Sequence, residues 1–193
     1  MSVADPHRVV LTGENPFLRL SEKDGDPNST DASYWRILFC PAGPGHVLYL
    51  KSELTHGHWR IYSDNIAMAR WLQQTVQGML NPELKDLSIP VIDADFSKSG
   101  DPRYFWTEYV SAADAEIALT WHDIGDPLLI HTEPNKEPNP RPYGVCTVLV
   151  PALSGRLTLN GQQARGKPWP REREGRPFST SALAFSESWT ETR

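Results

Sequence analysis

The sequence predicts a mainly β protein, a β-rich α+β chain folded as an antiparallel barrel or a two-sheet sandwich, with one packed helix around 65–80. Short runs of aromatic and β-branched residues recur along the chain and alternate with polar residues, as half-buried strands do. The 17 prolines and 13 glycines separate these runs frequently, which indicates short connections. The 193 residues suit a single domain over 1–193.

The first part of the chain predicts a loop followed by a meander. Residues 1–33 read as a partly loop-like N-terminal segment, because residues 21–33 are polar and rich in turn formers. Strands are expected at 34–39, 46–53 and 58–63. Short turns join them, so we expect an antiparallel meander.

One segment has the spacing of an amphipathic helix. Ser63, Asp64 and Asn65 supply capping side chains before it, and Pro82 ends it. Its apolar residues fall on one stripe: Ile66, Ala69, Leu72, Val76, Met79 and Leu80. We expect this helix to cover one face or one open end of the sheet.

The remaining chain predicts further strands. Residues 88–96, 105–110 and 116–122 form the next three, and 127–133 is the expected hairpin partner of the third. A strand at 143–151 is apolar on both faces and therefore central.

The last part of the chain contains a hairpin, a loop and a final strand. Asn160-Gly161 predicts a tight hairpin. A long charged loop is expected over 165–177, followed by a strictly alternating strand at 180–189. The total of about eight or nine strands is calycin-like in strand count, although the mid-chain helix departs from lipocalin order.

Composition limits the partners. The net charge is −5 and no run is strongly basic, so we expect no nucleic-acid partner. The sequence has no long apolar stretch and no secretory start, so no membrane partner is expected. Cys40 and Cys146 lie in apolar runs and read as buried free thiols, which favours a cytoplasmic location. No cofactor motif is present; a homodimer is compatible with these features.

His56 and His58 form an H-x-H pair that would face one side of a strand and offer two ligands to a metal. Gly57 indicates instead that His56 lies in a turn, and no third ligand follows in register. We therefore expect no metal, and these two histidines are the ligands if one binds.

Glu187 is the strongest candidate for a catalytic residue. Strict alternation places it on one face with Leu183, Phe185 and Trp189, so its carboxylate would be surrounded by apolar groups. Burial raises the pKa of a carboxyl group toward the range useful for acid–base catalysis. The alternatives are that the small-residue face is inside, or that an arginine such as Arg60 or Arg36 pairs with Glu187.

Two neighbours and an aromatic wall complete the predicted site. His122 and Asp123 end an alternating strand and could assist Glu187, although a turn-capping role suits Asp123 equally. Aromatic residues suit a concave site for a flat or apolar ligand. The candidate wall consists of Trp121, Trp189, Phe185, Trp106, Tyr62 and Trp169.

The charged loop at 165–177 gives Trp169 a particular role. Five basic residues surround it, so the loop could close a cavity mouth with Trp169 as a plug and attract an anionic or carbonyl-bearing ligand. A solvated hairpin extension is the alternative.

Three functions fit these features. The first is a small-molecule enzyme using general acid–base chemistry in an aromatic-lined barrel cavity, of the lyase, hydratase, isomerase or hydrolase kind. The second is a non-catalytic carrier or sensor of an apolar or aromatic ligand, and the third a His-ligated metal enzyme.

Overall fold

The computed structural model describes residues 4–136, 141–173 and 175–192. It confirms the predicted fold class: the protein is mostly β, with one main helical segment. The strands are β1 (Ala4–Glu14), β2 (Phe17–Leu20), β3 (Thr30–Phe39), β4 (Gly45–Ser52), β5 (Arg60–Ser63), β6 (Val91–Asp101), β7 (Phe105–Ala112), β8 (Ala115–Ile124), β9 (Leu128–Thr132), β10 (Gly144–Leu159), β11 (Gln162–Gln163), β12 (Pro170–Arg173), β13 (Arg176–Ser179) and β14 (Ser181–Thr192).

Twelve strands form one large mixed sheet that curls around an axis, and β12 and β13 form a separate hairpin. Hydrogen bonding runs from β3 through β4, β5, β6, β7 and β8 to β10. From β10 the pairing passes to β14, and from β14 to β1 and β2, which both pair with β3. The circuit of strand pairs therefore returns to its start.

The two faces of the sheet bury different cores. On the inner face, side chains from nearly every strand meet in one cluster that includes Tyr34, Leu48 and Trp121. On the outer face, alternate residues of the same strands, such as Trp35 and Val47, pack against the helix. This alternation is the period-2 pattern that the sequence shows in β3 and β4.

The helical segment consists of α1 (Ile66–Leu72), a π-helical turn (Gln73–Gln77) and α2 (Gly78–Leu80), as predicted for this part of the chain. Asn65 caps it: its side-chain oxygen accepts the Met68 N–H at 3.1 Å. The buried stripe differs from the predicted one, because Ile66 and Leu80 are exposed while Gln73 and Gln77 are buried. The π-helical turn shifts the register of the stripe, and the two glutamines satisfy their amides internally.

The helical segment and a short 3₁₀ turn (Pro82–Lys85) connect β5 to β6, which are paired in parallel. The other strand pairs are antiparallel among the residues described, including the meander of β3, β4 and β5. A parallel pair needs a crossover connection, and this helix supplies it.

Strand β14 contains an irregularity that strict alternation cannot predict. Val148 of β10 pairs with Ser186, but the next residue, Leu149, pairs with Ala184, so Phe185 is an extra residue in β14. Such a bulge changes which face the following side chains occupy. Phe185 packs with the inner core, whereas Trp189 packs with the outer core. The prediction that Leu183, Phe185, Glu187 and Trp189 share one face is therefore wrong.

Three smaller predictions are also corrected. Strand β9 pairs with β10, and not with β8, because β8 and β9 follow one another along the same edge of β10. The expected charged loop at 165–177 contains part of the hairpin of β12 and β13. The partly loop-like N-terminal segment contains β1 and β2 as well as the expected turn-rich stretch.

No helix in the part of the chain that the structure describes is long and apolar enough to cross a membrane. Both cysteines are free; Cys40 is buried as predicted, but Cys146 is exposed.

Gly13 allows β1 to approach β3 at a second irregularity, where the pairing shifts between Thr12 and Gly13. A Cβ atom at Gly13 would overlap the carbonyl oxygen of Arg36 and stand 3.1 Å from the Cα of Ile37. We expect Gly13→Ala to reduce the free energy of unfolding by about 2 kcal/mol or more, because backbone atoms cannot move aside easily. Urea denaturation measures the free energy of unfolding. Ser186→Ala, at an exposed position of β14, is the control and should change this free energy by no more than about 0.5 kcal/mol. Equal stability of both variants would contradict the close approach.

Candidate active site on the outer face

A cavity of about 500 Å³ lies on the outer face of the sheet beside the bulge of β14. Strands β9, β10 and β14 form its floor, the end of the helical segment forms one wall, and the hairpin of β12 and β13 forms another. Its apolar lining comes from Phe17, Met79, Leu80, Ile130, Val145, Leu149, Phe178 and Trp189. Its polar lining comes from Asn15, Arg19, Thr132, Arg141, Thr147, Arg173 and Glu187.

Glu187 reaches this cavity because of the bulge. Its strand neighbours in register are Gly13 of β1 and Thr147 of β10. The side chain is only 5% exposed, although it lines the cavity. One carboxylate oxygen, Oε1, accepts the Trp189 indole N–H at 2.7 Å. This bond holds the carboxylate against the floor in a fixed orientation.

Burial raises the pKa of Glu187 above its usual range, because the ionised form loses its hydration. The Trp189 indole is the largest opposing influence, followed by the side chains of Thr147 and Asn15 and by the positive charge of Arg141. Thr147 Oγ1 lies in this environment without a well-formed hydrogen bond to any described residue. Glu187 is thus a carboxyl group that can take up or release a proton nearer to neutral pH than an exposed one.

Asn15 is brought to the cavity by a break between β1 and β2. Its backbone N–H donates to Ala184 O at 2.8 Å, beside the bulge, and Pro16 O accepts the Tyr34 N–H at 2.9 Å. Proline cannot donate to the ladder, so the strand is interrupted there. The break and the bulge face each other and together shape the polar end of the cavity.

The two residues predicted to assist Glu187 lie elsewhere. His122 and Asp123 end β8, and neither lines the cavity. His122 pairs in register with Phe105 and Ser154, whereas Glu187 pairs with Gly13 and Thr147. Asp123 is exposed and has a positive φ of 51°, which suits a residue that bends the end of a strand. The expected grouping of these residues with Glu187 is wrong.

The predicted aromatic wall is divided between the two faces. Of the six predicted aromatic residues, only Trp189 lines the cavity with Glu187. Trp121 and Tyr62 are fully buried in the inner core. Trp106 and Phe185 also pack on the inner face and contact each other edge to face, with ring centroids 5.3 Å apart. These four residues serve mainly as core.

Trp169 does not plug the cavity. Its indole N–H donates to Ser21 O at 3.1 Å, and its backbone N–H donates to Thr180 Oγ1 at 2.9 Å. These bonds fix it against the loop that precedes β3. Phe178 and Arg173 of the neighbouring hairpin line the cavity instead.

His56 and His58 do not share a strand face. His56 follows a 3₁₀ turn (Glu53–Thr55) with a positive φ of 56°, Gly57 also has a positive φ, and β5 begins only at Arg60. Across residues 4–136, 141–173 and 175–192, no three His, Cys, Asp or Glu side chains are placed to hold a metal ion. The metal-enzyme hypothesis therefore has no supporting ligand set in the described structure.

Two further buried carboxylates, Glu108 and Glu14, lie near each other on the inner face and were not predicted from the sequence. Glu108 is 1% exposed and accepts the Trp106 indole N–H at 2.7 Å. Glu14 is 9% exposed, with Arg36 Nη1 at 2.9 Å from one oxygen and Lys98 Nζ at 3.7 Å from the other. Desolvation raises the pKa of Glu108 to about 6, and the Trp106 indole opposes the shift. Neither Glu108 nor Glu14 lines the cavity of about 500 Å³ that Glu187 reaches, so Glu187 is the better placed carboxylate.

Sequence reasoning missed Asn15, Arg141, Thr147 and Arg19 as lining residues. Asn15 precedes a proline that interrupts an N-terminal alternating run, which is a weak local signal for a break. Arg141 follows a proline-rich stretch and lacks any such signal. Thr147 lies on the same strand face as Val145. It neighbours Glu187 because β10 pairs with β14, and the sequence does not specify that pairing.

The raised pKa of Glu108 predicts a pH-dependent stability difference. The folded form binds the proton more tightly than the unfolded form, so burial of the charge destabilises the protein as pH rises from about 4.5 to about 6. We expect Glu108→Gln to gain about 2 kcal/mol relative to the wild type between pH 4 and pH 7, because the amide carries no charge. Urea denaturation across this range measures this difference. Glu116→Gln, at an exposed position of β8, is the control for losing one carboxylate. A constant difference between Glu108→Gln and wild type across the range would exclude the effect.

No protein-family model matches the chain, and no curated protein is significantly similar to it. The functional inference therefore depends on the geometry of the cavity.

Proposed function

We propose that the protein is a small-molecule enzyme that uses Glu187 for general acid–base chemistry in the cavity on the outer face. The observation that carries this proposal is a carboxylate that is 5% exposed and yet lines a cavity of about 500 Å³. A carboxylate that is buried among apolar groups reduces the free energy of unfolding. A functional role would explain why it is kept there. A side chain kept in such a place, with a raised pKa and access to a cavity, is suited to proton transfer.

The surroundings of Glu187 support this role. The Trp189 indole fixes one carboxylate oxygen, so that the group does not need to reorient before it accepts a proton. Phe178, Met79 and the other apolar lining residues limit the water that reaches the carboxylate. The cavity volume suits a compact organic molecule.

The reaction class follows from the inventory of groups at the cavity. Glu187 is the only described lining residue that can exchange a proton near neutral pH, and the arginines stay protonated. A single carboxyl group can remove a proton from one atom of a substrate and return it to another. We therefore favour isomerisation, elimination or hydration over chemistry that needs a separate nucleophile.

A carrier or sensor of a small molecule is the second candidate. It is favoured by the absence of histidine and of a second carboxylate among the described residues that line the cavity. Glu187 would then contribute polarity to the cavity, and a bound ligand would leave unchanged.

Glu187→Gln tests the enzyme proposal. The amide is nearly isosteric and can still accept the Trp189 N–H, but it cannot exchange a proton. We expect a loss of about 10²- to 10⁴-fold in kcat in a variant that still folds. Conversion is measured by NMR with a panel of small aromatic and aliphatic enols, hydroxy acids and unsaturated acids.

Glu191→Gln is the matched control, because Glu191 lies on the same strand but pairs with Arg8 away from the cavity. In the wild type, the acidic limb of the kcat profile is expected above the usual carboxyl range, since a base must be ionised and burial raises the pKa of Glu187. Wild-type turnover by Glu187→Gln would remove the catalytic role, and binding of panel members without conversion would support the carrier.

A further inference from the structure

The cavity contains more positive than negative charge. Arg19, Arg141 and Arg173 line it, and Glu187 is the only acidic side chain among the described lining residues. Arg19 has Asp31 at 3.6 Å and is half exposed, so its charge is largely offset. Arg141 and Arg173 have no carboxylate within 4.0 Å among the residues that the structure describes. With Glu187 ionised, these three groups leave about one positive charge unmatched.

The position of Arg141 is costly without an anion. Its guanidinium lies over the Trp189 ring, 5.2 Å from the centroid, and the side chain is partly buried. Burial lowers the pKa of Arg141, Arg173 acts in the same direction, and Glu187 opposes them. Two guanidinium groups that repel each other at one cavity are stabilised when an anion lies between them.

Charge and shape indicate which anion suits the cavity. A guanidinium presents its N–H groups in a planar fork that matches a carboxylate. A monoanion matches the single unmatched charge, whereas a dianion would be repelled more strongly by Glu187. The apolar lining near the arginines, including Phe178 and Leu149, suits the rest of an amphipathic molecule.

We infer that the ligand of this cavity is a small monocarboxylate with an apolar body, that Arg141 and Arg173 bind its carboxylate, and that Trp189 and Phe178 contact its body. This ligand is a substrate only if the proposed function holds. Its binding by the two arginines does not depend on proton transfer by Glu187. In the enzyme, the bound carboxylate would place the neighbouring atoms of the ligand against Glu187.

Calorimetric titration of the full chain tests the inference with four probes: phenylacetate, hexanoate, the neutral phenylacetamide and phenyl phosphate. We expect both carboxylates to bind at millimolar or lower concentration. The amide should bind roughly tenfold more weakly or worse, because it lacks the charge that the guanidiniums require. Phenyl phosphate should bind more weakly than phenylacetate. Tighter binding of the phosphate would change the ligand class and overturn the inference.

Variants localise the binding to the two arginines. Arg141→Gln and Arg173→Gln should each weaken phenylacetate binding roughly tenfold or more, and Arg141→Lys should lose less. Arg171→Gln is the matched control, because Arg171 lies on the same hairpin as Arg173 but pairs with Asp24 at 2.8 Å and does not line the cavity. Urea denaturation of each variant shows whether it is folded. The inference fails if no carboxylate binds, if the amide binds as well as the acid, or if folded Arg141→Gln and Arg173→Gln both bind like the wild type.

Glu187→Gln separates this inference from the proposed function. Removing a negative charge near the arginines should leave phenylacetate binding unchanged or tighter. Carboxylate binding together with wild-type turnover in Glu187→Gln would overturn the catalytic role and leave the ligand class standing. Loss of turnover in Glu187→Gln without any preference for carboxylates would support the catalytic role and overturn the inferred ligand class.

Discussion

Strand β14 is hydrogen-bonded along both edges, to β10 on one side and to β1 and β2 on the other, and this double pairing closes the circuit of strands. A strand in this position has two faces that must both be buried, and the bulge at Phe185 divides them. Before the bulge, Leu183 completes the inner core; after it, Glu187 and Trp189 turn to the outer face. The cavity exists because this strand changes faces while it remains paired on both sides.

The two buried carboxylates show how the same cost is met in different ways. Glu108 on the inner face has an indole donor and lies near Glu14, Arg36 and Lys98, which form a compact ionic group at one end of the core. Glu187 also has an indole donor, but its nearest positive charge is an arginine that itself faces a cavity. Buried ionic groups stabilise a fold only when their partners satisfy them. Protein side chains supply the charged neighbours of Glu108, whereas Glu187 adjoins a cavity with room for a ligand.

The features that sequence could predict are those set by local chemistry. The helix follows from the Asn65 cap and from apolar spacing within one segment, and the strands of the meander follow from alternation and short turns. The burial of Glu187 could also be expected, although of its two aromatic neighbours only Trp189 lies on the same face. Its face could not, since neither Ala184 nor Phe185 is a glycine or carries any other mark of a bulge.

Non-local pairing explains the remaining differences. Strand β9 pairs with β10 although β8 precedes it directly, and Asn15 meets Glu187 from the opposite end of the chain. The residues around Trp169 indicate an exposed side chain, but the carbonyl oxygen of Ser21, in a loop distant in sequence, accepts its indole N–H. A period-2 pattern specifies that a residue belongs to a strand; it does not specify the neighbouring strand or the irregularities of its register.

Closure of the sheet by β14 also has a consequence for the kinetics of folding. Thr12 and Ser188, whose hydroxyl groups lie 3.0 Å apart in the closed sheet, are separated by 176 positions. Bringing such distant segments together costs loop entropy before any contact is gained, so the last pairing is expected to form slowly. Until it forms, β10 on one side and β1 and β2 on the other present open hydrogen-bonding edges, and intermediates with open edges are prone to associate with one another. The rate at which β14 docks therefore sets how long the unfinished sheet is exposed to aggregation.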